Sequence, residues 1–93
     1  MTKRSLIKIV MNEREEKRIF RKNALEKFGE HLSNLKGANN ITSSQLAQLS
    51  EITPANVSRI EKGKINLTFI TLIKLARAFG ISLERLMKGY EID

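Results

Sequence analysis

Between Pro54 and Lys62 the residues able to do polar chemistry gather on one side of a helix. At about 100° per residue, Val57 and Ile60 point one way while Ala55, Ser58, Arg59 and Lys62 point the other. Small residues let such a helix sink into a DNA major groove, and a forked guanidinium can donate twice to guanine O6 and N7. Catalytic chemistry has few tools by comparison. The 93 residues include no cysteine, a single histidine (His31) and a single aspartate (Asp93), which removes disulfide frameworks, thiolate zinc sites and the usual triads built on a His and an Asp. His31 lies off the apolar stripe of its helix with no second candidate ligand, so it reads as a solvent-facing structural residue. No enzymatic activity, cofactor or metal is expected.

Charge points the same way. Seventeen Lys and Arg against ten Asp and Glu leave +7, with a pI near 10.1, and a surface of that sign attracts polyanions. Residues 1–27 hold nine Lys/Arg and four Glu, a net of +5, whereas residues 28–93 hold eight and six, a net of +2. The excess sits in an N-terminal arm. No apolar run approaches the roughly 18 residues that span a bilayer, and Met1 to Met11 lack the long apolar stretch and small-residue cleavage site of a signal peptide. A cytoplasmic protein with no membrane partner is expected.

The elements that must position the Pro54 segment are marked by caps and stops. Asn12 followed by Glu13, Glu15 and Glu16 suits a helix start. From there Phe20, Ala24, Phe28, Leu32 and Leu35 recur at helical spacing up to Lys36, where Gly37 is expected to stop the helix. Gly63, Gly80 and Gly89 read as later stops. Thr42-Ser-Ser-Gln45 is a capping box, Thr53-Pro54 is a cap followed by proline at the first helical position, and Thr68 and Ser82 precede the last two apolar runs. Five helices result, with no strand alternation among them. Before Asn12, the apolar, β-branched run within Ser5–Met11 fits either an edge strand or the lead-in to the first helix.

The expected core comprises Phe28, Leu32 and Leu35, then Leu46, Ala47 and Leu49, then Val57 and Ile60. Phe69, Leu72, Leu75, Ala76 and Phe79 follow, and Leu83, Leu86 and Met87 complete it. Only Glu51-Ile52-Thr53 joins the helix of Ser43 to Ser50 to the helix of Pro54 to Lys62. Helices joined so tightly cross steeply, and Ala47 lets the second backbone approach; this is helix-turn-helix geometry.

The chain here resembles the Cro/C1-type helix-turn-helix domains of lambdoid phage repressors and their bacterial relatives (XRE family). The resemblance is carried by Phe28-Gly-Glu-His-Leu-Ser-Asn-Leu-Lys36, Ile41-Thr-Ser-Ser-Gln-Leu-Ala-Gln48, Val57-Ser-Arg-Ile-Glu-Lys-Gly63 and Thr71-Leu-Ile-Lys-Leu-Ala-Arg-Ala-Phe-Gly-Ile-Ser-Leu83, with Leu86. It covers residues 28–88 and implies an all-α, compact five-helix, lambda-repressor-like bundle. Residues 1–27 would be a basic arm, helical from about 12, and residues 89–93 a short tail. The resemblance also implies that Pro54, Ala55, Ser58 and Arg59 lie nearest base edges. It puts Ser43, Ser44, Thr53, Asn56, Lys62, Lys64 and Asn66 on phosphates. Glu61 is implied to be a structural partner of Lys36. Four positions depart from the family pattern: Ser43 replaces a common Gln, Glu51 a common Gly, and Pro54 and Ala55 replace amide side chains, leaving Arg59 as the one obvious multidentate reader.

Each of these residues also has a local reading. Lys62 and Lys64 complement a helix C-terminus as readily as they contact phosphate, and Thr53 and Asn56 are natural caps. The function expected is a sequence-specific, double-stranded DNA-binding transcriptional regulator, a repressor, acting as a homodimer on half-sites about 34 Å apart. Dimer contacts are expected from Gly89-Tyr90-Glu-Ile92 beside the last helix or from Leu6 to Met11. The alternative is an antitoxin-type module that blocks a protein partner with its arm while autoregulating its promoter, since the Leu6 to Met11 run suits strand addition.

Overall fold

Each helix begins at a residue whose side chain satisfies a backbone amide of its first turn. The computed structural model describes residues 12–92, in which five α-helices follow one another: α1 (Glu13–Ala38), α2 (Ser43–Ser50), α3 (Pro54–Glu61), α4 (Phe69–Ala78) and α5 (Leu83–Met87). The Asn12 side chain accepts from the Glu15 amide at 2.8 Å. Thr42 and Gln45 form a reciprocal capping box, and Thr53, Thr68 and Ser82 cap α3, α4 and α5 in the same way. The Leu6 to Met11 segment lies outside the described residues.

The first four helices end alike. Asn40, Glu51 and Gly63 take left-handed backbone after α1, α2 and α3, and Gly80 does so after α4. The next amide along then returns to a carbonyl five residues back, as in Ile41 N–H to Lys36 O (2.9 Å), Lys64 N–H to Arg59 O (2.8 Å) and Ile81 N–H to Ala76 O (3.0 Å). Gly37 does not stop α1, contrary to the expectation from sequence. The helix runs one residue further, through Ala38, and the reversal falls on Asn40, the non-glycine residue that best tolerates left-handed backbone.

Phe28, Leu32, Leu46, Ala47, Val57, Ile60, Leu75, Ala76 and Leu86 form the buried core. Leu35, Leu72, Phe79, Leu83 and Met87 pack around it half-buried. Two expected core residues are outside: Leu49 is 56% and Phe69 64% exposed. Both sit at helix ends, where apolar spacing continues but no neighbouring element lies over it. α1 packs on α3, α2 on both α3 and α4, and α4 on α5.

His31 is not solvent-facing. It is half-buried, donating from Nε2 to the Leu86 carbonyl at 2.6 Å, and its ring packs against Phe28 and Tyr90. Tyr90 in turn donates to the Ala24 carbonyl at 2.8 Å, so the segment after α5 is fastened to α1. α1 is one unbroken helix across residues 27 and 28.

Candidate nucleic-acid interface

Two helices and three residues between them build the candidate interface. After Ser50, whose buried hydroxyl donates to the Leu46 carbonyl at 2.6 Å, the chain reverses at Glu51 (φ 59, ψ 33). Ile52, half-buried, returns its amide to the Ala47 carbonyl at 3.2 Å. Thr53 is extended and caps α3, with Pro54 at the first turn, where its missing N–H costs nothing. Local chemistry therefore sets the angle at which α3 leaves α2.

α3 is sharply two-sided. Val57 and Ile60 are each 1% exposed, sealed into the core, while Pro54, Ala55, Arg59 and Lys62 are exposed. Ser58 and Asn56 are half-buried at the margins of that open face. The Arg59 guanidinium donates from Nη1 to Asn56 Oδ1 at 2.9 Å, one turn back on the same helix. Asn56 thereby steers the guanidinium along the open face as well as closing the α3 cap through its own amide, which donates to Thr53 Oγ1 at 3.3 Å. That pairing follows from the i, i+3 spacing, yet sequence reading assigned the two residues separately.

The phosphate candidates divide. Ser44, Thr53, Lys62, Lys64 and Asn66 are exposed. The Ser43 hydroxyl is already committed: it accepts from Lys36 Nζ and donates to the Glu61 carboxylate at 3.0 and 3.1 Å. Lys36 and Glu61 are also in direct ion-pair contact, their side chains 15% and 14% exposed. Glu61 is thus the structural partner of Lys36, and Ser43 joins that cluster, tying α1, α2 and the end of α3 together. What Ser43 still offers a phosphate is its amide in the first turn of α2, beside that of Ser44, where helical N–H groups have no intrahelical acceptor.

Gly29 was missed by the sequence reading. A β-carbon there would lie 2.8 Å from the Glu61 carbonyl carbon and 2.9 Å from the Ile60 carbonyl oxygen. Only glycine lets α1 approach the last turn of α3 so closely. The available signal was a lone glycine inside a helical run.

The helix-turn-helix family profile matches residues 33–86, from the last turns of α1 into α5. The chain belongs to the Cro/C1-type helix-turn-helix family. Among characterised family members, it is 42% identical over 64 residues to the HTH-type transcriptional repressor RghR of Bacillus subtilis (strain 168). That alignment covers 68% of this chain and 47% of RghR, so the chain spans about half the length of that relative. Among solved family structures, the restriction-modification controller protein C.AhdI from Aeromonas hydrophila superposes with a TM-score of 0.64 at 34% identity, over 67% of this chain and 94% of C.AhdI.

Proposed function

We propose that this protein is a sequence-specific regulator of transcription that binds double-stranded DNA as a homodimer and represses by occupying an operator. The observation that carries the proposal is the division of α3: Val57 and Ile60 hold it from inside while Ala55 and Arg59 stand open on the opposite side. Inserted in a major groove, that side brings the Arg59 guanidinium to base edges, and the small Ala55 permits close approach. Ser44, Thr53, Lys62, Lys64 and Asn66 then flank the groove as phosphate contacts that fix register without carrying sequence information. A dimer is part of the proposal because one α3 reads too few base pairs for useful discrimination. The repressor sense is supported by the kinship with RghR.

Selection from a random-sequence duplex pool tests this directly. The expected product is a pseudo-palindrome with half-sites about one helical turn apart. Recovery of no motif, from folded protein at low salt, would refute sequence-specific binding.

A further inference from the structure

α1 is long for the work the core asks of it. Its 26 residues, at about 1.5 Å each, make a rod of about 39 Å, in a molecule whose longest extent is 44 Å. The core uses only its second half, through Phe28 and Leu32. Continued backwards in phase, the stripe that holds those two residues passes through Arg21, Lys17 and Arg14, all within an arc of about 60°. Arg14, Lys17 and Arg21 are exposed. The acids before Phe28 mostly lie elsewhere: Glu15, Glu16 and Glu26 fall outside that arc, and Glu13 pairs with Lys17 at 3.2 Å with both side chains largely in water, where such a pair is easily exchanged.

This cationic stripe adjoins the loop that follows α3. Gly63 lies against the α1 backbone, since a β-carbon on it would come within 2.8 Å of Glu26 Cα, and Asn66 lines a cleft together with Lys17 and Arg21. Lys64 and Asn66 belong to the phosphate-contact set proposed above, so the α1 cations extend that set along the long axis of the molecule. We infer that Arg14, Lys17 and Arg21 form a second phosphate-binding surface that grips duplex flanking the site read by α3. The inference rests on the α3 reading for its orientation. The partner is the duplex backbone rather than bases, because flexible cations spaced along a rod match a line of charge and carry no sequence code.

The test compares wild type with a variant carrying Arg14→Gln, Lys17→Gln and Arg21→Gln, on a selected duplex ending at the recognised site and on one lengthened by about one helical turn at each end. Glutamine keeps helix propensity at exposed positions, and circular dichroism checks the fold. A second variant, Lys27→Gln with Arg85→Gln and Lys88→Gln, removes the same charge around α5 and the tail. Wild type should bind the longer duplex more tightly, and between about 50 and 200 mM salt its log–log slope on that duplex should exceed that of the α1 variant by about 2–3 for each bound protomer, about 5 for the dimer. The α1 variant should gain nothing from length and keep its base preference. Equal slope losses in the two triple variants, or no length effect in wild type, overturn the inference. So does an α1 variant that binds both duplexes normally but has lost binding to phosphatidylserine vesicles. Arg59→Ala in the same assay separates the two readings: retained base preference there defeats the groove assignment, whereas the length effect and the slopes of the two triple variants decide the stripe.

Discussion

The backbone of Glu61, at the C-terminal end of α3, fills the space that a β-carbon on Gly29 of α1 would need. Nothing but backbone separates the long helix from the proposed reading helix at that point. Gly29→Ala therefore forces the two apart. Overpacking of this kind costs about 1–3 kcal/mol, more than the gain of about 1 kcal/mol from replacing a helical glycine. Urea unfolding should show net destabilisation, and DNA affinity should fall as α3 shifts. A Gly29→Ala protein as stable as wild type would show that the helices separate without cost.

The Lys36–Glu61–Ser43 cluster makes a different prediction. Glu61→Ala leaves a largely buried ammonium and a hydroxyl without their acceptor, and should cost about 2–4 kcal/mol after allowance for partial exposure. Lys36→Met combined with Glu61→Met should recover much of the loss, because the desolvation penalty disappears with the charges. Thermal melts of the two proteins decide between an ion pair that stabilises the fold and one that is needed only as a pair.

Glu51 holds a backbone conformation in which a β-carbon costs about 1 kcal/mol. Glu51→Gly should stabilise the domain by up to that amount, raising the melting temperature by a few degrees. It also removes a negative charge beside the proposed DNA face, so binding to unselected duplex should strengthen slightly. A lower melting temperature would mean that the Glu51 side chain makes a compensating contact.

Arg59 and Lys64 should fail in different ways. Arg59→Ala is expected to cost about 1–3 kcal/mol and relax preference at one base pair in each half-site, whereas Lys64→Ala should weaken all sequences alike and lower the salt slope by about 1 per bound protomer. Binding isotherms on the selected site and on single-base variants of it, at several salt concentrations, distinguish the two.

Burial pushes the Tyr90 phenol above its ordinary value. The folded protein thus holds the proton after the unfolded chain, with a tyrosine near pH 10, has begun to release it. Stability is fully present below that pH and declines as pH rises from it through the folded value. Tyr90→Phe loses the hydrogen bond to the Ala24 carbonyl and should be weaker at neutral pH. Its further loss above pH of about 10 should be smaller than in wild type. Parallel alkaline curves for the two proteins would contradict the assignment.

Helix starts were legible in the sequence because capping is local chemistry: Thr42, Thr53, Thr68 and Ser82 each reach an amide three residues on. The two faces of α3 were legible for the same reason, since periodicity alone sets Val57 and Ile60 against Arg59. Tertiary structure decided what lies opposite each face. It turned Ser43 onto Glu61, drew His31 to the Leu86 carbonyl, left Leu49 and Phe69 in solvent, and made Gly29 a point of backbone contact. Those outcomes depend on which segments distant in the chain meet, and residue spacing along one helix holds no record of its neighbour.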